Sequence, residues 1–333
     1  MVFRSSFQND LKFPVTEPGS NTGSIHKVLS AIFTQGLCSN LDWGWMGGSL
    51  NYQVRQVCRT QDGLVCDVPR CVPPPYPLKC YSCIYPYIWQ PTPSKTQTNI
   101  TISCFDYFKT LEWIRLNSST LANKKIAILN MGDYKCFGGG WNMGFGGLES
   151  EIFMRTNIST SLGTLSQRPG PYECVYTSGV TLFRAGMDEG YRFLDGMERM
   201  MFDVVTTYAY DNRVPYTYQG VFLDPNVHGV AASWDDQSKF IYMTAYSKIS
   251  NVLTACLRNG VKTVILGALG CGNFSNPPYV VAAAFCSAIS KFNGHFDDIC
   301  ISLIDVNVRN IFAQCMLSFF PCPLCLGVNQ AGN

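Results

Sequence analysis

At 333 residues, with 47% hydrophobic and 14% charged side chains, the chain is too apolar for a disordered protein and long enough for one large domain plus an extension, or for two domains. A formal charge of +2, from 25 basic and 23 acidic residues, excludes the electrostatic footprint of a nucleic-acid or anionic-lipid binder and favours a small or neutral partner. No stretch has the uninterrupted apolar length of a membrane-spanning helix, because Pro321 and Pro323 break the nearest one, Ile311 to Val328. The opening MVFRSSFQNDLKF lacks the apolar segment of a secretory signal, so the expectation is a soluble, intracellular protein of the cytoplasm or nucleus. Sixteen cysteines in that setting read as reduced, mostly buried thiols. Two CxxC pairs stand out, Cys80/Cys83 and Cys322/Cys325; joined by Cys66 and Cys71, the first is a candidate structural zinc site, although Cys66-x4-Cys71 is a loose spacing.

Residues 1–97 are rich in glycine, proline, cysteine and aromatic residues, and only Ser24 to Leu37 has the spacing of a short helix. From Val72 to Gln97 prolines recur too often for a helix or a central strand, which suggests a linker or a wrapped arm. From Thr98 the pattern becomes α/β. Asn99 to Cys104 reads as a strand and Phe105 to Leu116 as a helix with Phe105, Phe108, Leu111 and Trp113 or Ile114 on one face. The next strand, Ile126 to Leu129, runs into a polar corner at Asn130 to Asp133, then Gly138, Gly139 and Gly140, then an acidic helix start at Glu149. Three glycines in a row clear side chains from a loop, so backbone N–H groups and the following helix N-terminus can face a phosphate. A mobile turn is the plain alternative.

Strands follow at Tyr176 to Arg184 and Phe202 to Thr207, both rich in β-branched residues. A long helix, capped by Ser233, repeats apolar residues from Tyr242 to Leu257 until Asn259-Gly260 stops it. A buried strand at Thr263 to Leu266 then opens a second glycine corner, GALGCGNFSNPP, before a helix whose inward face is Val280, Val281, Ala284, Phe285 and Ala288. A strand at Cys300 to Asp305 and a helix at Asn310 to Phe320 complete the pattern. Two corners of this kind suit a ligand with two phosphates, and neither is a P-loop, since no Gly-Lys-Ser/Thr follows.

Together these segments, about residues 98–310, resemble the microbial-type poly(ADP-ribose) glycohydrolase family. The matching stretches are LNMGD with GGG seven residues ahead of LES, then RTN; GVTLFR; DVVT at Asp203 to Thr206; and Leu266 to Pro278, the most complete match. The resemblance implies a macrodomain-like three-layer α/β/α sandwich over residues 98–320, with an irregular extension at 1–97 and a tail at 321–333. It implies ADP-ribose, poly(ADP-ribose) or an ADP-ribosylated protein as partner, with no cofactor and no catalytic metal. Carried over by position, Asn130, Asp133, Gly138, Gly139, Gly140, Gly270, Cys271, Gly272, Asn273 and Phe274 would bind the ligand. Asp133 stands where the family has Asn, and so can accept from a ribose hydroxyl but not donate. The family's Gln-Glu-Glu becomes Leu148-Glu149-Ser150, and Ser150 occupies the place of the general acid. A hydroxyl cannot supply that proton near neutral pH, so hydrolysis would rest on Glu149 or Glu151. Two alternatives stand beside an enzyme: a module that only binds ADP-ribose, and a structural or interaction protein whose cleft is filled, for example by Trp141 or Phe145. The histidines His26, His228 and His295 lie outside every motif.

Overall fold

In the computed structural model, the structure describes residues 80–326 apart from 86–90, 93, 95–96, 118–123, 134–136, 144–145, 163–164, 166–168, 171, 214–232 and 321–323. The elements, in chain order, are β1 (Tyr81–Tyr85), β2 (Asn99–Ser103), α1 (Tyr107–Asn117), β3 (Ile126–Met131), α2 (Leu148–Arg155), β4 (Cys174–Leu182), β5 (Met200–Thr207), α3 (Asp236–Arg258), β6 (Thr263–Leu266), α4 (Pro278–Lys291), β7 (Asp298–Ser302), α5 (Val306–Phe319) and β8 (Leu324–Leu326). The strands form one sheet in the order β1, β4, β5, β3, β6, β7, β2, β8. From β5 to β8 all neighbours are parallel, whereas β4 runs antiparallel to both β1 and β5.

Parallel strands covered on both faces need apolar residues at every position, and IAIL in β3 and TVIL in β6 supply them. Alternation then divides each strand between two cores. Ala127, Leu129, Val264 and Leu266 pack with α3, α4 and α5, whereas Ile126, Ile128 and Ile265 pack with α1 and α2. The result is the expected three-layer α/β/α sandwich, with the carboxyl ends of β5, β3 and β6 side by side at one rim.

The helices start and stop for local reasons. Asp235, rather than Ser233, caps α3, because its side chain accepts from the Ser238 N–H at 2.7 Å. The helix ends at Asn259-Gly260 as expected, with Gly260 at φ +72°. The strand expected at Cys300 to Asp305 begins at Asp298 and closes at Ser302, which frees Asp305 to cap α5 through the Val308 N–H at 2.9 Å. The stretch expected as linker or wrapped arm contributes β1, an edge strand on β4, and β8 comes from the expected tail. An edge position tolerates the prolines that a central strand would not.

Cys80 is buried, with its thiol 3.5 Å from the Asn157 carbonyl and 3.3 Å from the Thr160 hydroxyl, while Cys83 is exposed, so the two thiols do not converge. Cys66 and Cys71 lie outside the described residues, as do Cys322, the helix expected at Ser24 to Leu37, His26, His228 and Phe145. Among the described residues no cluster of three or more His, Cys, Asp or Glu side chains gathers as a metal site, and no helix is long and apolar enough to cross a membrane.

Candidate functional site

The rim is built around the end of β3. Its last residues alternate so that Asn130 is fully buried while the chain turns at Gly132. Gly132 donates its N–H to the Thr207 carbonyl at 2.8 Å, which extends the β3–β5 pairing into the corner. Asn130 Nδ2 donates to Glu149 Oε1 at 3.3 Å and to Thr206 Oγ1 at 3.2 Å. The Asp133 N–H donates to Glu149 Oε2 at 2.7 Å, and the Gly138 backbone supplies a further bond to the same carboxylate. The first residues of α2 therefore place Glu149 under the corner, joining β3, β5 and the glycine loop.

Gly138, Gly139 and Gly140 all take positive φ, at +90°, +56° and +79°. A methyl group on Gly138 would meet Trp141 at 2.2 Å, and one on Gly139 would face Glu149 Oε2 at 3.5 Å. The loop thus passes directly over the carboxylate, with Trp141 buried beneath it against Phe153 at 5.8 Å between ring centroids. Trp141 therefore belongs to the core rather than to a plug in the cleft.

Burial pushes the Glu149 carboxyl up to about 7, against hydrogen bonds from Gly138, Asp133 and Asn130 that favour its charged form. The nearby Asp133 charge acts in the same direction as burial. A carboxyl group balanced between its two forms near neutral pH can both give and take a proton.

Ser150 reaches the same glycine loop through its hydroxyl, whereas Glu151 points away from it. Ser150 is buried and donates its hydroxyl to the Gly138 carbonyl at 3.2 Å, which ties α2 to the loop. Glu151 lies about 200° around the helix from Glu149. Its carboxylate accepts from the Tyr191 hydroxyl at 2.5 Å, on the side where Arg155 stacks 4.1 Å from the Phe108 ring and bonds the Arg184 carbonyl. Asp203, the first residue of the DVVT match, lies toward the opposite end of the strand, where it accepts from Tyr176 and from the Gly179 N–H at 3.0 Å and pairs with Lys125 at 3.0 Å.

The second corner follows β6. Gly270, at φ +80°, leaves no room for a methyl group, which would fall 2.0 Å from Asn276 Nδ2. Asn276 braces the loop by donating to the Tyr210 carbonyl at 2.9 Å, and its N–H bonds the Gly270 carbonyl at 3.0 Å. Cys271 is a packing thiol, with burial pushing it up to about 12. Gly272 and Asn273 are exposed, and Phe274 is half-buried against the core cluster on that side. Of the ten positions expected to bind ligand, Asn130, Asp133 and the first three glycines thus form one corner, and residues 270–274 the other.

Sequence reasoning missed three contributors: Thr206 and Thr207 at the end of β5, Asn276, and the segment Asp211 to Arg213. Thr206 and Asn276 stood inside matched motifs, but only the β3–β5 register, which pairs Asn130 with Thr206, shows what Thr206 touches. Among the described residues, Asn130 Oδ1, Thr207 Oγ1 and Asn276 Oδ1 are buried without a hydrogen-bond partner.

No family model and no curated protein matches the sequence. Solved structures do. The chain is similar to the poly(ADP-ribose) glycohydrolase of Thermomonospora curvata, with 18% identity, a TM-score of 0.59, and coverage of 87% of this chain and 98% of that one. The same glycohydrolase bound to the inhibitor ADP-HPD matches with 18% identity and a TM-score of 0.57, covering 86% of this chain and 98% of that one. At this level of identity the likeness concerns architecture: the chain has the macrodomain-like α/β fold of the bacterial poly(ADP-ribose) glycohydrolases.

Proposed function

We propose that the chain belongs with the microbial-type poly(ADP-ribose) glycohydrolases, that it binds an ADP-ribosyl group between the two glycine corners, and that Glu149 hydrolyses the ribosyl bond. The observation that carries this reading is the Glu149 carboxyl itself, buried below the first glycine loop, held by Asn130 and Asp133, and pushed up to about 7. The solved glycohydrolase of the same fold with the inhibitor ADP-HPD bound supports the choice of ligand.

In this mechanism Asn130 holds the Glu149 carboxyl from below, and the backbone of the glycine corners faces the diphosphate. Protonated Glu149 gives its proton to the leaving oxygen as the ribose gains oxocarbenium character. The carboxylate left behind then takes a proton from the attacking water, and the carboxyl is regenerated. The Ser150 hydroxyl is too weak an acid to protonate the leaving oxygen near neutral pH, and it serves the Gly138 carbonyl. That substitution favours one second reading, a module that binds ADP-ribose without cleaving it.

The test pairs calorimetric titration of ADP-ribose with release of ADP-ribose from its polymer. For the native chain and Glu151→Gln we expect binding and release alike. For Glu149→Gln we expect retained binding with release slowed by about 100-fold or more, the usual scale for loss of a general acid. Binding without release by the native chain would establish the second reading, and absence of binding would leave the fold alone.

A further inference from the structure

Arg213 stands where the two corners meet, and no motif match drew attention to it. The segment after β5 is fastened to the second glycine corner: the Asn212 N–H donates to the Phe274 carbonyl at 2.9 Å, and Asn212 Nδ2 to the Ser275 carbonyl at 2.8 Å. Gln237, on α3, holds the Asn212 side chain from behind. This clip sets the Arg213 guanidinium 5.4 Å above the Phe274 ring and within electrostatic reach of Asp133 on the first corner. In the structure the guanidinium is engaged by Asp211, with Nε to Oδ1 at 2.8 Å and Nη2 to Oδ2 at 2.7 Å.

Two features make this an exchangeable arrangement. The Arg213 side chain is 55% exposed, so solvent screens its pair with Asp211 and the guanidinium has room to turn toward a ligand. The lip also carries two carboxylates, Asp133 and Asp211, beside a cleft read as taking a polyanion, so a cation there is needed to offset their repulsion. A planar guanidinium can hold two phosphate oxygens at once while its face stays on an aromatic ring.

We propose, on the reading that the cleft takes an ADP-ribosyl group, that Arg213 is a specificity-determining residue that leaves Asp211 to bind the ligand's diphosphate while its face stays on Phe274. Arg213 then answers for the Asp at 133 where the family has Asn, by restoring a favourable charge at the lip.

The experiment is titration of ADP-ribose into the native chain, Arg213→Gln and Asp211→Asn at several salt concentrations, with thermal melts of each. Arg213→Gln is expected to melt with the native chain, to bind about tenfold or more weakly at low salt, and to show a flatter salt dependence. Asp211→Asn is expected to bind more tightly than the native chain, because Arg213 is released. Unchanged affinity in Arg213→Gln, or a loss of equal proportion at every salt concentration, would overturn the assignment. Failure of the native chain to bind ADP-ribose would overturn the cleft reading and this one together.

Discussion

On the proposed reading, Glu149 has a signature in stability as well as in catalysis. Its folded-state pKa, pushed up to about 7 mainly by burial, lies above the 4.5 ordinary for a glutamate, so the fold prefers the protonated carboxyl. The stabilisation is therefore complete below about pH 4.5 and is lost as pH rises through about 7; the full loss is on the order of 3 kcal/mol. Glu149→Gln cannot ionise, so the melting temperature of the native chain should fall relative to that variant between pH 5 and pH 8. A constant difference across that range would mean that Glu149 does not change charge there. In the proposed mechanism the same proton governs the chemistry: kcat/KM for release should decline as pH rises past about 7, because the acid form is consumed.

At the scale of the loops, the glycines divide by physical cause. Gly138 and Gly270 combine positive φ with a neighbour that a methyl group would strike, Trp141 in one case and Asn276 in the other. Alanine there should cost at least about 1 to 2 kcal/mol and lower the melting temperature. Gly272 has ordinary φ and open space around it, so the fold does not demand glycine. Gly272→Ala should keep the native melting temperature yet weaken ADP-ribose binding, since a methyl group would stand between backbone and diphosphate; unchanged affinity would remove Gly272 from the site. Much of this was legible in the sequence, because a strand, a glycine run and a helix start are local patterns. IAIL and TVIL announced themselves as short apolar runs ahead of glycine corners, and the face of α4 by the helical spacing of Val280, Val281, Ala284, Phe285 and Ala288. The role of Glu149 was not legible in that way. Glu149 and Glu151 share a side chain and differ in surroundings through the phase of α2, and that phase is fixed by distant partners: Asn130 for Glu149, Gly138 for Ser150 and Tyr191 for Glu151. Arg213 was hidden for the same reason, since nothing near it in sequence reveals Phe274 above the end of β5.

Across the whole molecule, the sheet separates the rim proposed to take the ligand from a seam for stability along the same strands. On β5, Thr206 meets Asn130 at the functional rim, while Asp203, three residues earlier, gathers Tyr176, the Gly179 N–H and Lys125. Asp203 is nearly inaccessible, so its carboxylate depends on those donors, and they in turn tie β4 to β5 and to the chain ahead of β3. The bulge in β4 between Thr177 and Val180 brings the Gly179 N–H to it. Removing the carboxylate leaves the Tyr176 hydroxyl and a backbone N–H without their acceptor, at a cost of roughly 2 to 4 kcal/mol. Asp203→Ala should therefore lower the melting temperature by several degrees while the affinity for ADP-ribose, measured well below that temperature, stays native. Glu149→Gln should do the converse in the release assay, leaving binding in place and slowing turnover by about 100-fold or more. If Asp203→Ala instead weakens binding at temperatures where it is fully folded, rim and seam are coupled through β5, and the strand transmits rather than separates the two tasks.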